Sequence, residues 1–234
     1  MSELALFSQQ GVLMLLRWLH FFFGIVWIGH LYYFNFTQGP FMNETDPATK
    51  SGVTQKLLPR ALWWFRWGAM FTFLSGWAYL GIRGHELGGA FLQTSYGITI
   101  LMGAILGSLM WFNVWFIIWP NQQVVIANAE AVAKGGQANP AAAGSAARAL
   151  CASRTNVLFS MPMLFFMGTA SHLNILVGEE SSVGALFGVF TLLIGALEFN
   201  AVKGKPGPMA TVKGVIHMGI LLMLVLYGLV EFFL

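Results

Sequence analysis

Charge is what this sequence has least of. Lys, Arg, Asp and Glu make up 9% of its 234 residues, and only nine residues are acidic. A soluble domain carries about 25% charged residues, so the deficit excludes a soluble globular fold. Cysteine is scarcer still: Cys151 stands alone, and no internal disulfide can staple the fold. A basic patch is missing as well. The net charge of +3 and the pI near 9.2 come from residues scattered over polar connections, which excludes a nucleic-acid surface. The opening MSELALFSQQ lacks the basic start of a secretory signal peptide. Internal repeats and pairs of Gly/Pro-broken apolar segments are not visible either, which weighs against a small transporter or channel.

What fills the space is apolar and aromatic: 57% of residues are hydrophobic, with 21 Phe, 12 Met and 9 Trp. Crossing a hydrocarbon core of about 30 Å takes about 20 apolar residues at about 1.5 Å each. Six stretches qualify, at about 11–36, 61–82, 96–119, 156–177, 183–202 and 215–234. Each must be helical, because lipid offers no partner to a free backbone group. The expectation is an all-α integral membrane protein, a single domain over 1–234 built as a bundle of about six transmembrane helices. The connections 37–60, 120–155 and 203–214 hold nine Lys/Arg, against Arg17 and Arg83 on the other side. The positive-inside rule then puts those three connections in the cytoplasm and both termini in the periplasm of a bacterial inner membrane. The 120–155 segment is Ala-rich, with Gly135, Gly136 and Pro140 as breakers. It reads as a cytoplasmic surface loop of short helices lying on the membrane.

Ionisable residues inside a span are costly and need a partner or a function. With the topology above, His20 lies roughly 14 Å in from the outside and His172 roughly 8 Å. With His85, Arg83 and Arg17 they form an outer layer. His30 and His217 form an inner one. Two histidines on different helices at similar depth are what axial ligation of a b-type haem needs, and nearby arginines suit its propionates. His20 with His172 is the favoured pair, as haem-iron ligands; His20 with His85 and His30 with His217 are the alternatives. The alternative for each histidine is a plain hydrogen bond or a place at the headgroups. Arg66 and Glu198 lie in the inner half and read as a structural ion pair, with Asn113 and Asn200 close enough in depth to complete a polar network. Gly103 and Gly107 make a GxxxG face for close helix contact.

The strings RWLHFFFGIVWIGHLYYFNF (17–36), ALWWFRWGA (61–69), FNVWFIIWPNQ (112–122) and ASRTNVLFSMPMLFFM (152–167) resemble the membrane domain of the bacterial urate hydroxylases of the PuuD kind, the urate oxidase N-terminal family. The resemblance runs from about Leu15 to the end of the chain. It implies a membrane-bound oxidoreductase of purine catabolism and electron transport that oxidises urate and passes electrons to cytochrome c. Six spans are fewer than that family's pattern, and no CxxCH haem-attachment motif is present. A c-type cytochrome is therefore expected as a separate partner. The competing reading is a non-catalytic accessory or structural subunit of a larger respiratory or photosynthetic complex. A short part of the first span also resembles the haem-binding protoporphyrinogen oxidases.

Overall fold

The computed structural model describes residues 5–234. Six long helices carry the fold: α1 (Gln9–Glu44), α2 (47–87), α3 (Ser95–Ala133), α4 (Ala142–His172), α5 (Val183–Lys203) and α6 (Val212–Phe233). No strand occurs among the described residues. All but α2 are long and apolar enough to cross a membrane. Helix α2 carries Arg60, Arg66, Arg83, His85 and Glu86, and it lies lengthwise along α1. The architecture is an all-α membrane bundle.

Contacts at the helix ends set the directions. Gln9 donates to Glu86 at 2.6 Å, joining the start of α1 to the end of α2. Ser95 Oγ accepts from the Ile175 amide at 3.0 Å, joining the start of α3 to the segment after α4. The Ser182 amide donates to the Phe233 carbonyl at 2.8 Å, joining the start of α5 to the end of α6. Residue 5 and residue 234 therefore lie at one end of the bundle, the terminal end. The turn between α3 and α4 lies at the other, the hairpin end.

Two connections, one expected as a polar loop and the other as short surface helices, run on as helix from the spans. The 37–60 connection has one break, at 45–46, where Asp46 accepts from the Ala48 and Thr49 amides and starts α2 with Pro47 in its first turn. The 120–155 loop is the larger correction. Helix α3 runs through Pro120 to Ala133, 39 residues or about 58 Å in all, and α4 starts at Ala142. Only 134–141 is a turn, with Gly135 at φ +80. The hairpin continues the spans in line, well past what a hydrocarbon core of about 30 Å requires.

At Pro40, Pro59 and Pro120 the helices absorb proline by widening. Three π-helical turns occur, Tyr33–Gln38, Val53–Leu57 and Asn113–Ile118. Each ends two residues before a proline: Pro40, Pro59 and Pro120. In each, the residue just before the proline donates to the carbonyl five back, as Gly39 to Phe34, Leu58 to Val53 and Trp119 to Val114. Proline removes one donor, and its ring crowds the carbonyl four residues earlier; a wider turn moves that carbonyl aside without ending the helix.

Helix α4 is the axis of the bundle. Of its most apolar stretch 67% is buried, against 22% for α1. It packs against α3, α5 and α6. The GxxxG face of α3 serves this contact: a Cβ on Gly103 would sit 3.4 Å from the Met163 carbonyl of α4. Phe159, Phe166, Phe65 and Phe190 are the largest side chains closed off inside.

Candidate functional site

Polar side chains gather where α4 passes the π turns. Each of those turns buries one or more: Asn35 and Gln38, Thr54, and Asn113. The extra residue in a π turn rotates the side chains that follow, and this brings amides onto the inner face. On one side of α4, Asn35 donates to Ser153 at 2.8 Å and Tyr32 pairs with Ser160 at 2.9 Å. On another side, Asn156 Nδ2 donates to the Met110 carbonyl at 2.9 Å, and Asn113 Nδ2 donates to Asn156 Oδ1 at 2.9 Å. The same Asn113 amide group reaches Glu198 of α5 at 3.0 Å. Cys151 points at the Asn200 carbonyl, 3.6 Å away.

The layer is not closed on itself. Buried atoms without a partner include Nε and Nη1 of Arg154, Oδ1 of Asn113, Oε1 of Glu198, and Oε1 of Gln38 and Gln122. Arg154 is 6% exposed. Buried polar groups are normally paired, so these atoms leave hydrogen-bonding capacity unused inside the bundle. Among the described residues no cluster of three or more His, Cys, Asp or Glu could hold a metal ion.

Of the residues singled out in the sequence, Asn113 and Glu198 meet in this layer as expected, and the other ionisable ones fall elsewhere. Arg66 and Glu198 do not pair. Arg66 lies over the Trp119 ring at 3.5 Å and the Trp115 ring at 5.4 Å, while Glu198 binds Asn113. A guanidinium is weakly hydrated and satisfied by an aromatic face, so it does not need the carboxylate. The only ion pair among the described residues joins Arg83 to Glu86. Arg17 bonds the Tyr79 hydroxyl and lies 5.0 Å over its ring. Both outer arginines thus have protein partners. His85, His172 and His217 are exposed, His172 on the last turn of α4. His30 bonds the Val26 carbonyl of its own helix at 2.7 Å and lines an open groove with Tyr33, Arg60 and Trp64.

His20 is held differently. Its Nδ1 lies 2.9 Å from the Thr72 carbonyl of α2, and its ring packs over Gly76, where a Cβ would come within 2.8 Å of Cε1. Nδ1 must donate to that carbonyl, which leaves Nε2 as a free lone pair. A ligating histidine needs this arrangement, so His20 fits one axial position of a haem. The structure joins it to α2 and gives it no contact with His172.

Fold and site together define a class: a multi-pass helical membrane protein with a half-satisfied polar layer on one side and an oriented imidazole nearer the other. The sequence pattern of the family described as urate oxidase N-terminal matches residues 89–227, and the chain belongs to that family. Comparison with curated proteins and with solved structures finds no match. The matched segment takes in α3 to α5 and most of α6, so Asn113, Arg154, Asn156 and Glu198 lie inside it, and His20 and α2 lie before it.

Sequence reasoning counted Arg154 as a loop charge, passed over Asn156, and left Asn113 as a possible neighbour. The available signal was the strings WPNQ and SRTN that carry the family resemblance; they contain Gln122, Arg154 and Asn156.

Proposed function

We propose that this chain is the membrane-embedded part of a urate-oxidising system of the bacterial inner membrane, which delivers electrons to a c-type cytochrome at the terminal end of the bundle. The observation that carries the reading is the family match over a segment that also holds the unpaired polar layer. A purine such as urate presents ring N–H donors and carbonyl acceptors. The free oxygen of Asn113 suits the first, and the Arg154 guanidinium suits the oxygens and charge of its anion. Adding the oxygen of water to a purine carbon forms one C–O bond, breaks one O–H and one ring N–H bond, and yields two protons and two electrons. The cytochrome takes the electrons one at a time. A b-type haem, if bound, would supply a one-electron carrier; His20 would hold it through Nε2, and His172 would have to reach it from the last turn of α4. Thr72 fixes the His20 ring, and Gly76 makes room for it.

The test is a visible spectrum of the purified protein with and without urate in the absence of oxygen. A Soret band, an α-band that grows on adding urate, and loss of both in His20→Ala and His172→Ala are expected. Gly76→Val should weaken the bands by pushing the ring off Thr72. A preparation that carries no haem and binds no urate overturns the reading and leaves the accessory-subunit role.

A further inference from the structure

The hydrogen positions in the α3–α4–α5 network are forced one after another. The Met110 carbonyl only accepts, so Asn156 turns its Nδ2 to it. That aims Asn156 Oδ1 at Asn113, which must answer with its own Nδ2. The same Nδ2 then serves Glu198 Oε2. Flipping either amide sets acceptor against acceptor. The result is a shortage of donors, and it leaves Asn113 Oδ1 and Glu198 Oε1 buried with nothing to accept.

No cation makes up the shortage. The helices packed against α5 bring Tyr96 and Glu130 on α3, Arg148, Cys151, Arg154 and His172 on α4, and Lys213, His217, Tyr227 and Glu231 on α6, and α5 itself carries Lys203. Glu198 forms an ion pair with none of them. An ionised carboxylate here would be supported by one shared, neutral N–H inside a membrane bundle, and that is the costly state.

We infer that Glu198 holds a proton and is the proton-exchanging group of the bundle. The proton supplies a donor that the network lacks and removes the charge. Glu198 lies five residues before the end of α5 at Lys203, about 8 Å along the axis from that end of the helix. To take a proton from the oxidation it first gives its own to water at that end, breaking the Oε1–H bond. The carboxylate then accepts the next proton, while the electrons leave separately to the cytochrome. The second half of this statement rests on the urate reading; the protonation rests on hydrogen-bond geometry alone.

Infrared spectroscopy separates the two. In purified protein near pH 7, a protonated-carboxyl carbonyl band is expected that shifts on labelling glutamate with carbon-13 and vanishes in Glu198→Gln. The other described glutamates are exposed, so the labelled wild type tests the point even where the variant fails to fold. Absence of the band, or its survival in Glu198→Gln, overturns the inference. A band that is present but unmoved by urate upholds the proton and counts against the urate reading.

Discussion

Helices α1 and α4 are both apolar enough to cross a membrane, yet they are built in opposite ways. α1 turns Trp18, Phe21, Phe22 and Ile25 outward and buries little. α4 buries Arg154, Thr155, Asn156 and Ser160 at its centre. In water the polar helix would lie outside. In lipid the driving force is the cost of an unpaired polar group, so the helix richest in polar side chains moves to the axis and the most apolar ones face the solvent, which is hydrocarbon. The candidate haem ligand His20 lies in the outer pair and the polar layer in the inner bundle, so the two halves of the proposed chemistry rest on differently packed regions.

The sharpest way to break that contrast is at Asn156. Asn156→Leu strands both the Met110 carbonyl and the Asn113 amide. At about 1–3 kcal/mol for each buried unsatisfied group, the loss should reach roughly 2–5 kcal/mol, read as a lower thermal midpoint in detergent. Phe21→Ala on α1, where Phe21 is 64% exposed, should change stability by under about 0.5 kcal/mol. Equal losses would mean that the two helices are not differently built.

Glycines give a second, smaller contrast. A Cβ on Gly103 would come within 3.3 Å of Met167 and 3.4 Å of the Met163 carbonyl, both on α4, whereas one on Gly29 of α1 would meet nothing within 4 Å. Gly103→Val should therefore cost about 1–3 kcal/mol by overpacking. Gly29→Ala should be neutral or gain about 0.5–1 kcal/mol, because alanine favours the helix. Thermal unfolding of the two variants side by side checks this.

Five of the six apolar stretches were legible because crossing a membrane leaves a length and composition signal that no tertiary contact overrides. The helical connections were not. Nothing local in the sequence says that a π turn will carry the helix past each of Pro40, Pro59 and Pro120. The same turns hide the site: an inserted residue rotates Asn35 and Asn113 inward, so depth along a straight helix places them at the right level without showing which side chain they meet. Depth also put Arg66 and Glu198 together. Their levels agree, but aromatic stacking on α3 competes for the arginine, and a depth estimate carries no information about the angle around a helix axis.

A double-mutant cycle sharpens that last point. Arg66→Met with Trp119→Leu should show a coupling of about 0.5–2 kcal/mol, the range of a partly desolvated cation over an indole. Arg66→Met with Glu198→Gln should be additive to within about 0.3–0.5 kcal/mol, as for residues that do not touch. A larger coupling in the second cycle would restore the ion pair.

The smallest effect belongs to the joint between α1 and α2, outside both regions compared above. Asp46 is exposed there, and its hydrogen bond from the Thr49 hydroxyl, at 2.6 Å, followed by the Thr49 and Ala48 amides, holds its carboxyl below the ordinary value of 3.8. A depressed folded-state pKa means that the carboxylate's contribution is fully present above the unfolded value and lost as pH falls through the folded one. Hydrogen exchange at the Ala48 and Thr49 amides measures it locally, where a global melt would not. At neutral pH, Asp46→Ala should exchange faster at both amides than the wild type. The difference should narrow only below the ordinary carboxylate range and vanish once Asp46 is protonated in the fold. Protection that stays equal in the two proteins at neutral pH would show that this start of α2 is held by Pro47 and its packing on α1, with no help from the cap.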